Sequence, residues 1–323
     1  MCSGRSGPWL TSWPRHEGDA VTRPTRTDAG GRAYLDLQNL ARRQGRQTQT
    51  LMVIYVLERF LARLEVSEYA DRFVLKGGML LAAWDARRAT VDADFLVRNL
   101  NLDEESVLRR VVEIAALPAP VEDGVEFRTD TVTASTIRDG DLYGGVRIAM
   151  DATVAGAVVK LRLDISTGDP VAPPPTIVDY PTLLTGHPRL SILGYPLPVV
   201  LAEKLCSAVE LGAGNSRIRD YADIWTLTRS HDITAADLLT ALAATSEHRD
   251  VVLRPLAEVI GDYGVVRAGA YTAYRRRLGP DAAKLPESFA QVVDDVITFA
   301  DPALASEVAS RAVWTALSAS WNG

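Results

Sequence analysis

The sequence predicts an α+β protein, a mixed sheet with flanking helices followed by a mainly helical C-terminal domain. Three observations carry this expectation. Residues 91–97 and 158–166 alternate apolar and polar side chains, as a strand buried on one face requires. Residues 34–64 and 103–116 repeat apolar side chains at the helical period. The run PVAPPP at 170–175 fits neither a helix nor a central strand, and beyond Pro198 the pattern is mostly helical.

In chain order, residues 1–32 mix Gly, Pro, Ser and Arg without an apolar core. They read as a flexible leader, since a secretory signal needs ~7–15 apolar residues. In the helical stretch 34–64, Ile54, Leu57, Leu61 and Leu64 share one side, with Glu58, Arg59 and Arg63 on the other. FVL (73–75) is a short buried strand ending at Gly77-Gly78, and MLLAAW (79–84) suits a helix starting at the glycines. In 91–97, Asp92 and Asp94 share one face and Val91, Ala93 and Phe95 the other. VEFRTDTVTASTI and VRIAMDATV supply further strands. In 158–166 the apolar face is Val159, Leu161, Leu163 and Ile165, and the charged face is Lys160, Arg162 and Asp164. A proline-punctuated connection then leads to helices expected at 198–212, 218–230, 234–246, 249–260, 266–278 and 287–319. The α/β domain is assigned to 33–190 and the helical domain to 191–323.

Composition narrows the function classes. The chain has 323 residues, 47% hydrophobic and 24% charged, with a net charge of −6. It is not coated in positive charge, although a local basic patch can still bind nucleic acid. Two cysteines, Cys2 and Cys206, are too few for a disulfide framework or a structural zinc site. The four histidines lack metal-ligand spacing. No stretch approaches the ~18 apolar residues of a membrane span, so a soluble, cytoplasmic protein is expected.

The chemistry concentrates in FVLKGGMLLAAWDARRATVDADF (73–95). Gly77 and Gly78 lack side chains, so a bound group can approach the backbone closely, and N–H groups opening a helix favour anions. A tight turn explains the pair equally well. Asp92 and Asp94 on one strand face would repel without a cation between them, and oxygen ligands suit Mg²⁺. A solvated strand edge also accounts for them. Asp164, on the charged face of a later strand, would complete a two-metal site that aligns an attacking hydroxyl with a phosphorus atom.

Gly-Gly, a spacer and Asp-x-Asp resemble the nucleotidyltransferase fold shared with DNA polymerase β, with Lys76 where an apolar residue is usual. RFVLKGGMLLAAW, RRATVDADFLV, LRLDISTGDPV, VLAEKLCSAVELG and NSRIRDYADIWTL, in that order, resemble the AbiEii/AbiGii toxin family, which includes the MenT-like toxins. The resemblance implies a nucleotidyltransferase of a bacterial toxin–antitoxin system. It also implies that Lys204 reaches nucleotide phosphates and that Arg219-Asp220 form the family's basic-acidic motif, with Asp223 one helical turn later. A lysine gives a triphosphate a mobile charge, and an aspartate can hold that lysine or assist proton transfer. From the residues alone, Glu203-Lys204 and Arg219-Asp220 could equally be surface pairs. Arg88 and Thr90 precede the aspartates where the family carries Arg and Ser/Thr, and Arg217 lies near the expected triphosphate. Asn215 and Ser216 match the loop before the Arg219-Asp220 motif, and capping of the following helix explains them equally well.

The expectation is a Mg²⁺-dependent enzyme in which Asp92, Asp94 and Asp164 bind metal. Gly77, Gly78, Arg88, Thr90, Lys204 and Arg217 bind the nucleoside triphosphate, and Asp220 assists. By resemblance, the acceptor is the tRNA 3′ end, and a neighbouring gene encodes an antitoxin. The basic runs at 87–88, 109–110 and 274–278, with Lys284, are candidate RNA contacts or solvated helix faces. The rivals are transfer to a small molecule or protein side chain, and a nucleotide-binding regulator without turnover.

Overall fold

A computed structural model describes residues 23–99, 103–139 and 143–323. It opens with two helices, α1 (Ala29–Gln44) and α2 (Thr48–Glu65). The sequence pattern runs through both as one, but Gly45 caps α1 at φ 60° and turns the chain. Glycine accepts that left-handed conformation without a Cβ clash. The expected leader boundary at residue 32 falls inside α1, and residues 1–22 of that leader lie outside the described residues.

There follow β1 (Phe73–Lys76), the single turn α3 (Gly77–Leu80), β2 (Ala93–Val97) and α4 (Glu104–Ala116). Then β3 (Val125–Asp139), β4 (Tyr143–Val154) and β5 (Ala157–Ser166) pair as an antiparallel meander. After the proline run come β6 (Thr176–Tyr180) and β7 (Leu190–Gly194), where the sequence suggested only a connection. Both are five residues long, and β6 is mostly exposed at the sheet edge, so neither carries a strong alternation signal. The strand order is β3-β4-β5-β2-β1-β7-β6. β2 with β5 and β1 with β7 are parallel and the other neighbours antiparallel, which makes the sheet mixed.

Helix α2 forms the centre of the core against this sheet. Phe60 meets Phe95 and Phe127 edge-on, with centroids 6.4 and 6.2 Å away, and burying such a ring is worth roughly 1.5–3 kcal/mol. The expected polar side of the helix is not solvated, because Glu58, Arg59 and Arg63 are all buried. Arg63 donates to Asp123 at 2.7 Å, while Glu58 accepts from Arg87 at 2.5 Å and from the Leu183 N–H at 2.9 Å. These partners come from distant segments, so local periodicity could not reveal them.

The second half contains α5 (Leu197–Leu211), α6 (Ile218–Ser230), β8 (Ile233–Thr234), α7 (Ala235–Arg249), α8 (Leu256–Val259), α9 (Tyr263–Val266), α10 (Ala268–Leu278) and α11 (Phe289–Leu304). The helix expected over 249–260 shrinks to α8. Asp250 ends α7 in the left-handed conformation, and Pro255 stands immediately before α8. The helix expected over 287–319 stops at Leu304. Beyond it, β9 (Val313–Thr315) and β10 (Ser320–Asn322) make a hairpin that pairs with β8. Trp314 fixes the hairpin by donating its indole N–H to the Thr228 carbonyl at 2.8 Å. Cys206 is a buried free thiol. Among the described residues no helix is long and apolar enough to cross a membrane.

Candidate active site

Arg147, Asp164, Asp94 and Lys76 lie in one register across the adjacent strands β4, β5, β2 and β1. Residues directly opposite in a ladder share a face, so the sheet presents a row of cation, anion, anion and cation. The two inner carboxylates meet different fates.

Asp164 accepts two N–H bonds from Arg147, Nε at 2.7 Å and Nη2 at 2.6 Å. This is a fork-to-fork ion pair that occupies both carboxylate oxygens. Asp94 has no such partner among the described residues. Burial, followed by the nearby Asp92, pushes its carboxyl up to about 6; Asp164 adds to this, while Lys76 and the Gly78 N–H oppose it. Gly77 lies at φ 64°, and a Cβ there would collide with the Asp94 carboxylate. The glycine pair therefore makes room for Asp94 as well as for the turn. The expected helix after the glycines is one α turn and one 3₁₀ turn over Leu81–Trp84. That is too short to present a helix-terminus anion site.

Asp92 stands just before β2, and the Thr90 hydroxyl donates to its Oδ1 at 3.0 Å and to its carbonyl at 3.2 Å. Since the strand starts at Ala93, Val91 is not on the buried face with Phe95 but is 56% exposed.

Lys76 reaches Asp169 at 2.5 Å and Glu203 at 3.4 Å and lies over the Tyr195 ring. Burial would lower its ammonium, but Glu203 and Asp169 outweigh that and hold it charged. Lys204, on α5, donates to Asp220 at 2.7 Å and Asp223 at 2.8 Å, both on α6. Asp223 also accepts from Arg88 Nε at 3.1 Å, so it bridges the segment before β2 to the helical half. Burial pushes Asp223 up, yet Lys204 and Arg88 prevail and its carboxyl lies below the ordinary range. Its bridging role is one the sequence did not assign; the only available signal was its position one turn after Asp220.

Two clefts open here. The larger, about 760 Å³, is lined by Gly77, Asp94, Asp164, Lys204, Arg217 and Asp220 among others. The smaller, about 490 Å³, is lined by Gly78, Arg88, Thr90, Asp92, Asp94 and Arg219 among others. Asp94 lines both. Every residue expected to bind metal or nucleotide therefore borders one of these clefts, as does Asp220, with Arg217 exposed on the rim; Asp223, Asn215 and Ser216 line neither. The basic pair at 87–88 is not a surface patch, since Arg87 is engaged by Glu58 and Arg88 by Asp223. Among the described residues, no group of three or more His, Cys, Asp or Glu is gathered so as to hold a metal ion. What the site offers a cation is Asp92 and Asp94, an all-oxygen donor pair of which Asp94 has no ion-pair partner among the described residues and is only partly offset by Lys76. That chemistry fits a hard divalent cation.

The family described as nucleotidyl transferase AbiEii toxin, type IV toxin–antitoxin system, matches residues 59–297, well over half of the sequence. The chain belongs to the AbiEii family. Its members are nucleotidyltransferase toxins, and the matched span contains the whole lining of the larger cleft and each candidate residue, while Gln47, Gln49, Thr50 and Val53 of the smaller cleft precede it. No curated protein matches the sequence. Among solved structures, this AbiEii chain is similar to a candidate nucleotidyltransferase from H. pylori at 16% identity and TM-score 0.47, covering 81% of this chain and 99% of that one. It is also similar to JHP933 from Helicobacter pylori at 16% identity and TM-score 0.44, covering 85% and 94%.

Proposed function

We propose that this AbiEii toxin transfers nucleotides from a nucleoside triphosphate to an RNA 3′ end, the tRNA acceptor end by family resemblance, using Mg²⁺. The observation that carries the reading is Asp94, a carboxylate beside Asp92 whose charge is disfavoured and which lines both clefts. An in-line displacement needs its entering and leaving groups on opposite sides of one phosphorus, and two clefts that share Asp94 in their linings support a reading with separate places for nucleotide and acceptor.

Asp92 and Asp94 would hold the cation, which supplies Lewis-acid stabilisation of phosphate charge. Thr90 orients Asp92, and Gly77 lets Asp94 stand against the backbone. The Arg88 terminal nitrogens lie 3.2 Å from where a Cβ on Gly78 would stand, so the glycine leaves the guanidinium room, and that guanidinium would serve a phosphate in the smaller cleft. Asp220 and Asp223 hold Lys204, so its charge is fixed in place rather than mobile. The acceptor 3′-oxygen bonds to the α-phosphorus, the bond from that phosphorus to the bridging oxygen breaks, and pyrophosphate leaves with the electron pair. The hydroxyl proton passes to a site carboxylate and on to water. Extension of the acceptor end would block aminoacylation, and a cognate antitoxin is the expected partner.

The test is incubation with each α-labelled nucleoside triphosphate, Mg²⁺ and total tRNA, with Asp94→Asn alongside. Label on tRNA, lost in the variant, is the expected result. Label on protein or on a small molecule instead would overturn the RNA reading.

A further inference from the structure

Asp164 sits opposite Asp94 on the neighbouring strand, yet the two do not act alike. Arg147 caps both Asp164 oxygens through Nε and Nη2, at 2.7 and 2.6 Å. The guanidinium comes from the facing position on β4, so the ladder itself aligns the fork. Arg147 is about half exposed and lines the larger cleft, whereas Asp164 is mostly covered. The carboxylate is therefore fixed, and the cation that covers it is free to swing into the cleft.

We infer that Arg147 is a positioning residue that withholds Asp164 from the cation site and thereby sets how tightly Asp92 and Asp94 bind a divalent ion. The inference rests on the metal reading of the Asp92–Asp94 pair. With Arg147 in place, Asp164 and Arg147 form a net-neutral unit, so the pull of Asp164 on a cation is largely offset. Without it, a third carboxylate stands uncovered beside Asp94. The guanidinium takes the lone pairs of Asp164 that face it and offsets its charge, so a metal that recruits Asp164 meets a weaker ligand while Arg147 stays in place. An incoming phosphate in the cleft offers Arg147 an alternative partner of the kind that a guanidinium fork binds well.

The probe is Mn²⁺ binding to the full-length, nucleotide-free protein, followed by the loss of the free-ion electron paramagnetic resonance signal. Arg147→Gln should tighten Mn²⁺ binding about tenfold, the effect of one uncovered carboxylate at close range. Arg147→Gln/Asp164→Asn, which removes the neutral pair whole, should return the affinity to within about twofold of wild type, as expected when a coupled pair is deleted together. Circular dichroism establishes that each variant is folded. Unchanged affinity in Arg147→Gln would overturn the proposal. So would a double variant that loses Mn²⁺ as completely as Asp92→Asn, because Asp164 would then be a ligand despite Arg147. If wild-type binding is absent or insensitive to Asp94→Asn, the metal reading itself fails and this inference falls with it.

Discussion

Lys76 stands opposite Asp94 in the β1–β2 register, yet its ammonium is held by Asp169 and Glu203. The lysine that interrupts the apolar run before the glycines thus ties the sheet to α5 and leaves Asp94 short of positive charge. Asp94 is a carboxylate under strain, which leads to the first expectation.

Asp94→Asn should raise stability while abolishing transfer. A carboxyl displaced from 3.8 to about 6 is a charge the fold disfavours at neutral pH. Allowing for solvent in the open cleft, the gain should be roughly 2 kcal/mol. Thermal melts at pH 7.5 without added metal provide the measurement, alongside a loss of at least about a hundredfold in labelled product. A lower melting temperature would show that Asp94 supports the fold instead.

The pH dependence has a definite sign. Between its unfolded value of 3.8 and its folded value of about 6, Asp94 binds more protons in the native state than in the unfolded one. Its contribution to stability therefore falls as pH rises through that window and levels off above it. Cation binding runs the other way, since the protonated carboxyl is a poor ligand. Mn²⁺ affinity should drop as pH is lowered from 7 to 5, with the drop centred near the Asp94 value of about 6.

Asp223→Ala should be among the most damaging changes outside the sheet. It strands Lys204 and Arg88, both largely buried, with Asp220 as the only remaining carboxylate on Lys204. Removing one partner of a buried ion pair costs about 3–5 kcal/mol. Urea unfolding would read this as a lower midpoint with an unchanged slope. A loss below 1 kcal/mol would mean that water enters the network freely.

The adjacent glycines should separate cleanly. At Gly77 an alanine meets both a left-handed backbone and the Asp94 carboxylate. At Gly78 a Cβ would lie 3.0 Å from Thr90 Oγ1 and 3.2 Å from the Arg88 nitrogens, which can shift. Gly77→Ala should lower stability by about 1–3 kcal/mol and abolish transfer. Gly78→Ala should fold nearly as well as wild type and mainly raise the KM for nucleotide. Steady-state kinetics on both variants distinguish these outcomes.

Much of this site was legible in the sequence because its parts are local. The alternation in 158–166 put Asp164 on the charged face, and the glycine pair with Asp-x-Asp marked the turn and the carboxylates. What stayed hidden was pairing between distant segments. Nothing near Asp164 in the chain announces Arg147, and nothing near Glu58 announces Arg87. Short strands also escaped: β6, β7, β9 and β10 are each three to five residues long and draw their stability from neighbours. The tail was misread as helix because its alanines and leucines suit one, and only the docking of Trp314 and Trp321 decides otherwise.

The bridge from Arg88 through Asp223 to Lys204 bears on how such a toxin is born. Arg88 and Asp223 are separated by 135 positions, which a ribosome covers in on the order of 10 s. Until α6 has emerged, the Arg88 guanidinium and the Lys204 ammonium lack the carboxylate that fixes them. The nascent chain therefore cannot complete this network through most of its synthesis, and the site is assembled only once the helical half exists to close it.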